Sequence, residues 1–184
     1  VLPREDPDAA EVVQQSLRRD GVELVLGCRI GEASREGGGR RLHYRCAGGH
    51  ESTSEVDEIL AATGRVPNVS GLGLEALGID YDERRGVVVD DFLRTTARGI
   101  YAVGDVCMGW KFTHAADAAA KLVVQNALFF GRRRLSSLVM PWCTYTDPEV
   151  AHVGIGERAA RERGIELDTY KIPLSRVNRA VCDG

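Results

Sequence analysis

The chain has 184 residues, 43% apolar and 28% charged, with a formal net charge of −3. That length fits one ordinary domain or two small ones, and the apolar share excludes a wholly disordered chain. Neither a run of about 18 apolar residues nor a cationic leader is visible, so the reading is no membrane span and no secretory signal. The mildly acidic, mixed-sign charge argues against nucleic acid as a partner.

In chain order, Asp6-Pro7-Asp8 predicts a helix start, with an acidic cap, proline at the first helical position and Asp20-Gly21 as its close. Val22 to Leu26 reads as a short strand. Leu42, Tyr44 and Cys46 alternate with Arg41, His43 and Arg45, which predicts a half-buried strand between turns at Gly37-Gly38-Gly39 and Gly48-Gly49. Val56 to Thr63 returns as a more apolar strand, giving an antiparallel meander of two or three strands. Gly71 to Ala76 (GLGLEA) matches a dinucleotide-binding glycine pattern in letters only. No apolar strand precedes it, so a short turn of helix is expected there. Val87 to Val89 and Ile100 to Val103 read as strands, Thr113 to Phe130 as the longest helix, and Pro141 to Val153 as extended chain with a bend at Thr146-Asp147-Pro148. Glu157 to Arg163 reads as a short helix and Glu166 to Ile172 as a strand. The last residues, Val181-Cys182-Asp183-Gly184, read as leading into a turn. Arg132-Arg133-Arg134 reads as a solvated helix end, where cations suit the helix dipole.

The five cysteines, at 28, 46, 107, 143 and 182, show no zinc-ligand spacing, and neither do the four histidines, so no metal site is expected. The odd count and wide spacing suit buried thiols in a reducing cytoplasm. The strongest chemical signal is GIYAVGD at 99–105, followed by the long helix. A buried strand ending in Gly-Asp sets a carboxylate at a sheet's carboxyl edge, where α/β folds bind ligands. Gly104 admits close approach of a ligand, and Asp105 can accept hydrogen bonds from sugar-type hydroxyls. On spacing alone, an Asp105 that merely caps a turn is an equal alternative.

Four segments in order, ILAATGRVPN (59–68), TTARGIYAVGDV (95–106), FTHAADAAAKLVVQNALF (112–129) and PWCTYTDPEVAHVG (141–154), resemble the pyridine nucleotide–disulfide oxidoreductases. These are flavoproteins of the dihydrolipoamide dehydrogenase, glutathione reductase and mercuric reductase type. The wording from Met140 to Val150 is most similar to the mercuric-reductase-like branch. The resemblance implies FAD and NAD(P) as cofactors. It gives Asp105, beside Gly104, the ribitol of FAD. It sets the backbone of Thr113 at the flavin O2 edge, flanked by Lys111, Phe112 and His114, and Gly64 next to the nicotinamide. Arg65 falls at the same junction, with a structural role, pairing with a carboxylate, as an equal alternative. His152 reads as a structural histidine and Cys107 as an inert buried thiol.

The departures are as informative. The family's glycine-rich FAD motif, its C-x-x-x-x-C redox pair and its C-terminal His-Pro-Thr segment are not in these residues, so no catalytic residue is assigned. The expected architecture is α/β, with partial FAD/NAD(P)-binding Rossmann-like domains and an antiparallel meander, followed by the start of an α+β dimerisation domain. Residues 1–67 are read as the later half of the NAD(P) domain, 68–140 as part of the FAD domain, and 141–184 as the start of the dimerisation domain. The chain thus reads as an internal piece of a cytoplasmic homodimeric enzyme. That enzyme would pass electrons from NAD(P)H through FAD to a cysteine disulfide, and on to a small-molecule disulfide or metal-ion acceptor. The alternative is a non-catalytic binding or dimerisation module, inactive as an isolated chain.

Overall fold

The structure is a computed structural model and describes residues 1–36 and 38–183. In chain order it contains α1 (Pro7–Arg19), the strands β1 (Cys28–Glu36), β2 (Gly39–Cys46) and β3 (Glu51–Val56), then the two-residue strands β4 (Tyr81–Asp82) and β5 (Gly86–Val87). After these come α2 (Thr113–Leu128), β6 (Trp142–Thr144), β7 (Val150–His152), α3 (Glu157–Glu162) and α4 (Asn178–Asp183), with single 3₁₀ turns between them, among them Glu75–Leu77 and Gly104–Val106. The chain divides into two compact units, Val1–Val22 with Cys143–Gly184, and Glu23–Trp142.

The first unit is held by α1. Its apolar face buries Ala10 and Val13, and Ala160 of α3 is buried too. Pro7 opens α1 as expected, but the Asp6 side chain makes no capping bond. The carboxylate that meets the first turn is Asp8, which accepts the Ala9 N–H and pairs with Lys171. That lysine, more than any other cause, holds the Asp8 carboxyl below its ordinary range. The Arg158 guanidinium donates to the Pro3 carbonyl.

In the second unit, β1, β2 and β3 form an antiparallel meander in that order. Cys28 faces Cys46 in its register, and the two are joined as a disulfide. This corrects the expectation of uniformly buried thiols. Eighteen residues of separation in the chain become direct opposition once a hairpin folds them back. Cys182 is exposed rather than buried.

Two apolar clusters complete this unit. One gathers Leu93, Met108, Ala115, Ala119, Leu122 and Met140 around α2. The other gathers Val69, Leu74, Ile79 and Val87. Val89 and Cys107 pack against both. Leu93 is fully buried with φ +62, an unusual conformation for a branched residue. The Asp90 carboxylate explains how it persists, because it accepts the N–H groups of Phe92 and Arg94 and locks the turn.

Several expectations are corrected. Val22–Leu26, most of Val56–Thr63, Ile100–Val103 and Glu166–Ile172 form no strand, apart from one isolated bridge between Arg94 and Tyr101. Their apolar pattern describes side chains, whereas a strand needs a partner backbone, which no local pattern supplies. Where a terminal turn was expected, α4 is found. Gly37 of the triple-glycine turn and Gly184 lie outside the described residues.

Gly86 sets the tightest steric limit. It has φ +94, and a Cβ there would lie 1.9 Å from the Val106 carbonyl oxygen. Gly99 has a similar φ, +81, but open space around it. Gly86→Ala is therefore expected to cost about 3 kcal/mol or more, and Gly99→Ala only about 1–2 kcal/mol of backbone strain. Urea unfolding of the two variants checks this, and equal losses would remove the steric argument.

Candidate cofactor site

The site is built on the 3₁₀ turn Gly104–Val106. Val103 enters it extended, at φ −139 and ψ 156. Gly104 then turns at φ +77, buried, with a Cβ position 3.2 Å from that of Ala116 on α2. The Gly104 carbonyl accepts the N–H groups of Cys107 and Met108, which fixes the turn. Glycine is needed here for both its dihedral and its closeness to α2. Asp105 is thereby thrust outward and its side chain is 47% exposed.

The carboxylate is not idle. Arg65 Nη1 donates to Asp105 Oδ2 at 3.1 Å and to the Lys111 carbonyl at 2.9 Å. Lys111 Nζ donates in turn to the Asp105 carbonyl at 3.3 Å. Arg65, Asp105 and Lys111 thus close a ring of contacts across 46 residues of chain. The ion pair is solvent-exposed, so it contributes about 0–1 kcal/mol, and Asp105 remains available for exchange. Arg65 accordingly does pair with a carboxylate, and that carboxylate is Asp105 itself. Gly64, immediately before it, has φ +115 and nothing within 4 Å of its Cβ position.

The start of α2 is uncapped by any side chain. Phe112 is its cap residue, extended, and makes no side-chain bond to the helix. The N–H groups of the first turn therefore lack helical partners, and the dipole adds about half a positive charge. Thr113 and His114 are exposed. His114 Nε2 lies 2.7 Å from the Pro141 carbonyl, and its ring stacks on Phe112 with centroids 5.4 Å apart. His114 is thus a brace for the entry to the helix. His152, half-buried on β7, contacts the Gly154 carbonyl and Glu5, as a structural histidine does.

These groups fit a flavin nucleotide. An exposed carboxylate suits sugar-type hydroxyls, a buried glycine admits a ligand beside the backbone, and an uncapped helix start suits an electron-rich ring edge. The structure brings Arg65, Asp105 and Lys111 into direct contact, while Gly64 enters through its neighbour Arg65. What sequence reasoning missed is the Lys111 carbonyl as the second anchor for Arg65. No residue-type signal marks a backbone acceptor. Among the described residues no cluster of three or more potential metal ligands occurs, and no helix is long and apolar enough to cross a membrane.

Nearly the whole length of the chain is similar to known proteins. Residues 1–120 match the family model described as pyridine nucleotide-disulphide oxidoreductase, and 140–184 match the dimerisation domain of the same family. The chain is 33% identical over 176 residues to a mercuric reductase from Staphylococcus aureus, covering 96% of the chain and 32% of that relative. It is 34% identical over 185 residues to a dihydrolipoyl dehydrogenase from Thermus scotoductus, covering 100% and 40%. Among solved structures, the HOCl-induced flavoprotein disulfide reductase RclA from Escherichia coli superposes with a TM-score of 0.83 at 32% identity, covering 99% of this chain and 41% of that one. The chain thus spans 28–33% of the length of the mercuric reductases it matches.

Behind the site, burial pushes the Cys107 thiol up to about 11. At pH 8 about one thiol in a thousand is then ionised. Iodoacetamide should label exposed Cys182 readily and Cys107 only as the pH approaches 11, as peptide mapping of the alkylated protein would report. The same shift bears on stability. Above the ordinary thiol value of 9.0 the unfolded chain loses this proton first, so stability falls as pH rises from 9.0 toward about 11.

Proposed function

The chain belongs to the pyridine nucleotide-disulphide oxidoreductase family, and from that premise we propose that it forms part of an FAD- and NAD(P)-dependent flavoprotein. In that reading residues 1–67 are the later half of the nicotinamide domain, 68–140 part of the FAD domain and 141–184 the start of the dimerisation domain. The whole enzyme is a homodimer that delivers electrons to a disulfide or a metal ion. The observation that carries the reading is an exposed, oriented carboxylate at Asp105 placed eight residues before an uncapped 16-residue helix.

FAD, when bound, supplies the two-electron chemistry that links a nicotinamide to a disulfide. The residues of this chain bind and orient it. Asp105 accepts hydrogen bonds from the ribitol hydroxyls, while Arg65 and Lys111 keep its turn in position. Gly104 keeps the backbone free of a side chain where the cofactor lies. The N–H groups of α2 at Thr113, flanked by Phe112 and His114, face the pyrimidine edge and favour negative charge there. Gly64 leaves room for the nicotinamide. The proposed location is the cytoplasm, where NAD(P)H is plentiful. The Cys28–Cys46 disulfide argues the other way, since such bonds persist chiefly in oxidising compartments.

Asp105→Ala in the full-length flavoprotein tests the reading. Two charge-assisted hydrogen bonds at about 1.5–3 kcal/mol each correspond to well over a tenfold loss of FAD affinity. The variant is expected to purify largely without flavin, measured by absorbance at the flavin band. A full complement of flavin would make Asp105 a turn residue and no ligand.

A further inference from the structure

Beyond the end of α2 the second unit holds a concavity of about 490 Å³ whose lining includes Arg94, Arg132 and Arg134, with Phe92 and Tyr101. We propose that this concavity is a binding site for a phosphate-type oxyanion, of the size of a small phosphate ester. Its lining shares no residue with the groups assigned to the cofactor.

Two of the three arginine side chains are held in place. Arg94 Cζ stands 4.8 Å from the Phe92 ring centre and Arg134 Cζ 5.5 Å from it, so one aromatic ring braces two guanidinium groups. Arg94 donates through Nε to Asp90 Oδ2 at 2.8 Å. Arg134 lies 3.8 Å from Asp91 Oδ2, close enough for an ion pair but too far for a hydrogen bond. Arg132 has no hydrogen bond or ion pair among the described residues. Asp91 is already committed elsewhere, accepting both the N–H and the hydroxyl of Ser136. That hydroxyl, first among the causes, keeps the Asp91 carboxyl below its ordinary range, so it stays ionised.

The loop that carries Arg132 and Arg134 is fixed through its backbone. Asn126 of α2 spends both ends of its amide on the backbone of Arg133, donating to its carbonyl at 2.7 Å and accepting its N–H at 2.9 Å. The Leu135 N–H is donated to the Asp91 carbonyl at 2.7 Å. Gly131 cannot carry a side chain, because a Cβ would lie 2.8 Å from Asn126 Oδ1 and 2.9 Å from the Gln125 carbonyl. A free basic tail would need none of these ties.

Three cations around one hollow repel one another, and two carboxylates offset them incompletely. The hollow therefore carries net positive charge, and a concave wall focuses that field. Guanidinium forks match carboxylates and phosphates alike, but a tetrahedral oxyanion offers enough oxygens for three forks, where a carboxylate offers two. The volume exceeds that of a bare ion and falls in the range of small-molecule pockets, about 300–1,000 Å³. Phe92 and the Tyr101 hydroxyl are left to meet an organic group. Arg132–Arg134 are solvent-exposed, as expected, and what the expectation lacked is the backbone ties that order their loop.

Calorimetric titration of the full-length flavoprotein with ribose 5-phosphate, inorganic phosphate and ribose tests this. Ribose 5-phosphate should bind saturably and ribose should not. Arg132→Gln should weaken the binding about tenfold or more. Asn126→Ala should weaken it severalfold with unchanged far-UV circular dichroism and flavin content, because it releases the loop without removing a charge. Tighter binding of ribose 5-phosphate than of phosphate identifies an ester as the ligand, and equal binding identifies the inorganic anion. Failure of both probes to saturate by about 10 mM, or binding that neither substitution alters, overturns the proposal.

Discussion

A single close approach organises the second unit. The backbone at Gly86 lies so near the Val106 carbonyl that no side chain fits between them. That contact presses a hairpin of two-residue strands against the turn that carries Asp105. The turn is consequently wedged between two apolar clusters, with Val106 packed on one and Cys107 touching both. Alternation along the preceding segment does the same work, since Ala102 packs on one cluster and Val103 on the other. The carboxylate gains its position from burial on both sides of its backbone, and its availability from pointing out of that wedge.

The same logic recurs at Asp90. Its carboxylate accepts two backbone N–H groups and the Arg94 side chain, and so holds Leu93 in a conformation that leucine rarely adopts. Leu93 repays the strain by complete burial against α2. On the opposite face of that turn stand Phe92 and Arg94. One turn thus feeds the core with one residue and the surface with its two neighbours.

Much of this was legible in the sequence because it is local. Helices α1 and α2 begin where proline and the Thr113 pattern place them, and the alternation from Arg41 to Cys46 marks β2. The Gly-Asp pair at 104–105 marked this turn through residue type, and the family resemblance made it the candidate site. The illegible parts are those in which partner and signal lie far apart in the chain. Val22–Leu26 and Ile100–Val103 carry the side chains of strands, but pairing is decided by a backbone elsewhere. The disulfide depended on register, and Arg65 reached both an aspartate 40 residues away and a carbonyl that no residue type reveals. Arg132–Arg134 read as a charge run because its order comes from Asn126 and Asp91 on other elements.

The Arg65–Asp105 contact changes what ligand binding means at this turn. The carboxylate has a cationic partner in Arg65, so its charge is paired. A hydroxyl that comes to Asp105 exchanges one partner for another, and the free energy gained is the difference between the two. The pair that such a hydroxyl would displace is exposed and weak, about 0–1 kcal/mol, so little would be lost in the exchange. The guanidinium it frees still has the Lys111 carbonyl to hold it beside the site.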